Sequence, residues 1–175
     1  MHRLILFRHG KSAWPHGIAD HQRPLAPRGV DAVPLMARWL AAQNLRPDFA
    51  LVSSAKRTQG TFALIADVFT ELLHRNEPRI YEASAERLLG VLREQQEEVR
   101  TLLMVGHNPG MQELALVLSG SEQDDPEARS RLKRKYPTSG VAVLDCEGPW
   151  RALSPGCAQL VDFVTPAMLG GVDED

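Results

Sequence analysis

Four short apolar runs, separated by longer stretches of helical period, constrain this chain more than any other feature of it. Such alternation is the pattern of a mainly parallel sheet whose two faces are covered by helices. The runs predict strands at Arg3–Phe7, Ala50–Ser53, Arg79–Tyr81 and Leu102–Val105. Helices are predicted after each, over Val30–Gln43, Lys56–Leu73, Ala85–Val99 and Gly110–Leu118. In the first, Met36, Trp39 and Leu40 supply an inward stripe, and Pro34 should kink the helix or delay its regular part. Two further strand-like runs, Val141–Asp145 and Leu160–Val164, close the sheet. The expected architecture is a three-layer α/β/α sandwich.

With 175 residues the chain suits one domain, over residues 1–170, followed by a flexible acidic tail over 171–175 that should fray. Between Glu122 and Lys135 an acidic stretch gives way to a basic one, the expected place for an insertion or mobile loop. The basic run from Arg129 to Lys135 suits an acidic phosphoprotein, though a solvated face is the commoner use of such a run. A formal charge of -2 gives no global reason to expect nucleic acid as a partner. Leu4-Ile5-Leu6-Phe7 runs at once into Arg8 and His9, too short an apolar start for a signal peptide or membrane span, so the chain reads as cytoplasmic. Cys146 and Cys157 form neither a CxxC pair nor a ligand cluster and are expected to be buried thiols.

In an open parallel α/β sheet, ligands bind beyond the carboxyl ends of the strands. The first strand ends in Arg8-His9-Gly10, the second leads through Ser53-Ser54 to Arg57, and the fourth ends in Gly106-His107-Asn108-Pro109-Gly110. Two arginines and two histidines at one edge suit a phosphoryl group: guanidinium forks pair with its oxygens, and a neutral imidazole can attack phosphorus. Gly10 would let the backbone approach the phosphate, and Asn108-Pro109 offers a helix cap at an anion-friendly helix N-terminus. Arg-His-Gly alone arises by chance in about one chain in a hundred. Three motifs after three separate strands are a far more specific signal.

Taken together, the Arg8-His9-Gly10 opening, the Ser53 to Thr61 segment and Val105 to Gly110 resemble the histidine phosphatase superfamily, with its phosphoglycerate mutase-like fold. Asp20 to Leu25, Tyr81-Glu82-Ala83-Ser84 and Tyr136-Pro137-Thr138 look like its SixA-type phosphohistidine phosphatases. Pro15 stands where the larger mutases carry Asn, which speaks against a mutase. The resemblance implies that His9 is the nucleophile, that Arg8, Arg57 and His107 bind the transferred phosphoryl group, and that no metal or other cofactor is needed. His9 must be neutral, so its second nitrogen should donate to a fixed acceptor such as a backbone carbonyl, with a protonated His107 helping to balance charge. Glu82 is a candidate proton donor, with Glu86 as its rival. Arg23 is a candidate substrate contact alongside Gly10 and Asn108, and Asp20 is expected to be structural.

Other chemistries fit less well. A P-loop needs a glycine where Ile5 stands, and a cysteine phosphatase needs five residues between its cysteine and arginine, where Cys146 and Arg151 have four. His2, His16, His21 and His74 lack paired metal spacing and read as solvated. The expected substrate is phosphohistidine on a signalling protein, such as a histidine phosphotransfer domain. The alternatives are a small phosphorylated metabolite, or a binding module that keeps the pocket without turnover.

Overall fold

A computed structural model describes residues 1–175. In chain order its elements are β1 (His2–Arg8), α1 (Pro27–Ala42), β2 (Phe49–Val52), α2 (Lys56–Val68), β3 (Leu73–Asn76), α3 (Ala85–Arg93), β4 (Thr101–Gly106), α4 (Gly110–Leu118), α5 (Pro126–Arg134), β5 (Val141–Cys146) and β6 (Ala158–Val164). The six strands form one sheet in the order β3-β2-β4-β1-β5-β6. Neighbours from β3 to β1 are parallel, while β5 runs antiparallel to both β1 and β6. Five of the six strands therefore point one way.

The continuous apolar runs follow from burial on both faces. Leu4 and Leu6 of β1 join Leu102 and Met104 of β4 under α3, α4 and α5. Ile5, Phe7, Leu103 and Val105 point the other way, against Val33, Met36, Leu40 and Ile65 of α1 and α2. The three-layer sandwich is thus built by one-residue alternation along β1 and β4. Pro27 starts α1 in the position where a missing amide costs nothing, and the helix runs on through Pro34. The carbonyl that Pro34 leaves without an amide belongs to Val30, a residue 46% exposed and so open to solvent.

Several expectations are overturned. Arg79–Tyr81 is not a strand, because Pro78–Ile80 forms a 3-10 turn. The strand beside β2 is instead Leu73–Asn76, whose four side chains are all exposed at the sheet edge and leave no apolar run to read. It takes the end of the helix predicted to reach Leu73, and α3 likewise stops at Arg93 rather than Val99. The predicted insertion contains α5, started by Pro126 and capped by Asp125, which accepts from the Ala128 amide at 2.8 Å. Ala128 and Leu132, one turn apart among charged neighbours, are fully buried in the core. Three of the five cations of the basic run are already engaged: Arg129 bonds Ser119, Arg131 bonds the Phe163 carbonyl and Lys135 pairs with Asp175. The acidic tail lies back on the fold: the Glu174 carbonyl accepts from the Thr138 amide, and Asp175 pairs with Lys135 at 2.9 Å. Cys157 is exposed, whereas Cys146 is buried. His2 is buried rather than solvated, and His21 is half-buried against Ser54. No helix is long and apolar enough to cross a membrane.

Candidate active site

The strands β2, β4 and β1 are neighbours, so the residues following their carboxyl ends converge. β1 delivers Arg8 and His9, β2 delivers Ser53 and, in the first turn of α2, Arg57, and β4 delivers His107. The segment after β1 folds over them, pinned where Ser12 bridges Leu25, and carries Asp20 and Arg23. From the other side the turn before β5 closes in: the Ser139 amide donates to the carbonyls of both Arg8 and His9.

His9 is 7% exposed, and its Nδ1 lies 2.7 Å from the Gly10 carbonyl. A carbonyl only accepts, so Nδ1 carries the proton and Nε2 keeps its lone pair. Burial is the main force holding the His9 pKa well below the ordinary value, with the Gly10 bond opposing and His107, Arg8 and Arg57 reinforcing the depression. The His107 ring stands 5.3 Å away, centroid to centroid.

Two guanidinium groups are fixed from behind. Arg8 donates through Nη1 to the Tyr136 carbonyl at 2.6 Å. Arg57, 7% exposed, donates to the Asp20 carbonyl at 2.8 Å and to Asp20 Oδ2 at 3.1 Å. Asp20 also accepts from the Tyr81 hydroxyl at 2.5 Å and from Arg23 at 2.9 Å. Tyr81, then Arg23 and Arg57, hold the Asp20 carboxyl well below the usual carboxylate range, and burial followed by Asp20 pushes the Tyr81 phenol up to about 12.

His107 departs from the protonated state expected of it. Burial first, then Arg57, lowers its pKa to about 3, so its imidazole is neutral at pH 7. Its Nε2 lies 2.7 Å from Ser53 Oγ, which also accepts weakly from the Ala55 amide at 3.5 Å. Ser53 can therefore give its own proton to Nε2, leaving the His107 hydrogen on Nδ1 as a donor without any net charge.

Across the whole protein only three buried side-chain polar atoms lack a hydrogen-bond partner: Arg8 Nε, His107 Nδ1 and Ser139 Oγ. All three belong to residues gathered around His9. A buried donor left unpaired costs about 1–3 kcal/mol, so two such donors beside a neutral imidazole describe a place built for an anion. Arg8 and His107 border a hollow of about 370 Å³ whose lining includes His9, Arg23, Arg57, Asn108, Trp14 and Asp175.

The other candidates fall differently. Gly10 does not offer its amide, which donates to Thr61 Oγ1 at 3.0 Å. A side chain there would lie 2.7 Å from a Val33 methyl, so this glycine permits α1 to pack close. Asn108 is not the N-cap residue of α4, a position Pro109 takes, but one residue earlier its Oδ1 still accepts from the Gln112 amide at 3.1 Å while its Nδ2 donates to the Tyr136 carbonyl at 3.3 Å. Arg23 is tied to Ser12, Ala13 and Asp20. Glu82, exposed and left-handed at φ 54, lines an adjoining hollow of about 410 Å³ with Glu113, His107 and Asn108, and Glu86 lines neither. No group of three His, Cys, Asp or Glu side chains is placed to hold a metal ion. Sequence reasoning gave no role to Ser53, Tyr81, Tyr136 or Ser139; all four follow or precede strands, but nothing in their spacing says which atom each will meet.

Residues 4–112 match the family model described as histidine phosphatase superfamily, branch 1. An uncharacterized protein of Mycobacterium tuberculosis, Rv1276c, is 41% identical over 159 residues, covering 91% of this chain and 99% of its own. Among solved structures, the candidate phosphohistidine phosphatase SixA from Agrobacterium tumefaciens is 30% identical with a TM-score of 0.80, covering 94% of this chain and 98% of that one. Its counterpart from Nakamurella multipartitia is 27% identical with a TM-score of 0.82, covering 94% and 96%.

Proposed function

This chain is a phosphatase of the histidine phosphatase superfamily, and we propose that it removes the phosphoryl group from phosphohistidine on a protein through a covalent phosphohistidine on His9. The observation that carries the reading is that two of the three unpaired buried polar side-chain atoms, on Arg8 and His107, belong to residues lining the hollow of one neutral, oriented imidazole. His9 Nε2 attacks phosphorus as the bond from phosphorus to the substrate imidazole breaks, and that imidazole, protonated beforehand by solvent on its other nitrogen, keeps the electron pair of the broken bond and leaves neutral. Arg8, Arg57 and His107 Nδ1 meet the charge on the phosphoryl oxygens with dipoles and cations already in place, the main source of acceleration in phosphoryl transfer. Water then attacks the phosphorylated His9, releasing phosphate and restoring the imidazole.

The leaving group supports phosphohistidine over an alkyl ester. An alkoxide needs a positioned acid, whereas a protonated imidazole leaves readily. Glu82, the candidate acid, lines the adjoining hollow and not the one lined by His9. One feature favours a second reading as phosphomonoesterase of a small metabolite: Glu82 and Glu113 share that hollow with His107. Rapid quenching with a labelled phosphohistidine protein should trap acid-labile, base-stable label on His9, and Glu82→Gln should slow a sugar phosphate more than the phosphoprotein. Glu82→Gln abolishing both activities would establish a dedicated acid and favour the metabolite.

A further inference from the structure

We infer that Trp14 is a specificity-determining residue, whose free indole face receives the planar heterocycle carrying the phosphoryl group. The inference rests on the phosphohistidine reading and extends it to recognition of the leaving group. Trp14 is the most exposed large hydrophobic side chain in the protein, at 75%. An indole in water is unremarkable alone, but this one borders the hollow that also contains His9, Arg57 and His107.

Its position is fixed from beneath. The Arg23 guanidinium carbon lies 3.2 Å from the Trp14 ring centroid. Arg23 is itself buried and held at three nitrogens: Nε by the Ala13 carbonyl at 3.1 Å, Nη1 by Asp20 at 2.9 Å and Nη2 by Ser12 Oγ at 2.5 Å. Ser12 and Ala13 are in turn paired across to Leu25 and Pro24, so the support under the ring belongs to the zipped base of the loop. One indole face is therefore occupied by a cation, while the rest of the ring is largely in solvent and the side chain borders the phosphoryl hollow.

That arrangement selects a ligand chemistry. The Arg23 cation already draws on the negative face potential of the ring, which makes a second cation on the outer face less favourable. A neutral planar ring has no such conflict and gains the contact of an offset or edge-on aromatic pair. The imidazole of phosphohistidine becomes such a ring in the transition state, as the breaking phosphorus–nitrogen bond returns its electron pair and removes the ring's positive charge. A phosphoryl group on an aliphatic chain gains only the apolar area it covers.

Three substrates separate the possibilities: phosphoramidate, which has the phosphorus–nitrogen bond and no ring; free phosphohistidine, which adds the ring; and a phosphohistidine protein. Trp14→Ala should lower kcat/KM about two- to tenfold on both ring-bearing substrates, the size of one aromatic pair, and leave phosphoramidate unchanged. Trp14→Phe should restore most of the loss. An equal loss on all three would mean that Trp14 acts only by steadying Arg23, and a loss confined to the protein would mean a docking surface; either overturns the inference, as does no loss at all. Wild-type enzyme inert to all three substrates would instead overturn the phosphohistidine reading, and this inference with it.

Discussion

One strand carries a buried histidine at each end, and the two ends treat the imidazole differently. At the start of β1, His2 has the Gly148 carbonyl 3.0 Å from Nδ1 and the Glu97 carbonyl 3.0 Å from Nε2, with its ring against Trp150. Just past the other end, His9 has one nitrogen tied to Gly10 and the other free for chemistry, and its neighbours Arg8 and His107 each keep a buried nitrogen unpaired. Burial is nearly equal, at 5% exposure for His2 and 7% for His9. Burial alone therefore does not mark a functional histidine. What differs is whether the protein itself completes the hydrogen bonding, because a fold that leaves donors unpaired gives up stability that a ligand can restore.

Exchanging the two histidines for alanine breaks that comparison most sharply. His9→Ala should lower turnover by on the order of 10⁴ or more, since a nucleophile is lost and no other imidazole takes its place. His2→Ala should leave turnover per folded molecule within about twofold and instead destabilise the fold by about 1–3 kcal/mol, through a carbonyl deprived of its donor and the lost ring contact with Trp150. Steady-state rates and urea unfolding of both variants check this. Normal turnover in His9→Ala would dismiss the covalent mechanism.

The next effect concerns the charges around His9. Arg57→Lys keeps the charge but loses the planar fork held by Asp20, and kcat/KM should fall by about a hundredfold. The corresponding change at the far end of β1, Arg3→Lys, alters a half-buried pair with Asp145 remote from His9 and should leave the rate alone. Wild-type rates in Arg57→Ala would place that residue outside the reaction.

The smallest effect is one of pH. His107 has a folded-state pKa of about 3 against 6.5 as its ordinary value. Between those limits the unfolded chain binds a proton at this position that the folded chain does not. Its contribution to stability is therefore present above pH 6.5 and lost as pH falls, by about 2 kcal/mol at pH 5. His9, lowered for the same main reason of burial, acts in the same direction. Urea unfolding at pH 7 and pH 5 should show this loss in wild type and a smaller one in His107→Asn. Equal pH dependence in the two proteins would mean that His107 is already protonated in the fold.

The legible part of the molecule is the part where local pattern and tertiary role coincide. β1 and β4 lie in the middle of the sheet, so burial on both faces wrote them into the sequence as apolar runs. α4 was read to the residue, because Gly110 and the last apolar turn at Leu118 bound it on both sides. β3 was not legible, since an edge strand with four exposed side chains is held by backbone bonds to β2 that any sequence can make. α5 was hidden because its inward stripe is only Ala128 and Leu132, two apolar residues among charges.

The candidate site divides along the same line. By itself the sequence determined which chemical groups stand at the strand ends, because Arg8, His9, Arg57 and His107 are fixed by their distance from the apolar runs. The tertiary structure alone decided what each group is doing there: that Asp20 rather than a substrate holds one side of Arg57, that the Gly10 amide belongs to Thr61, and that burial and Arg57 keep His107 neutral while Ser53 faces its Nε2. The reason is physical. Periodicity records how much of a side chain is buried, whereas protonation and pairing depend on partners as distant in sequence as Ser53 from His107, which meet only when β2 and β4 lie side by side.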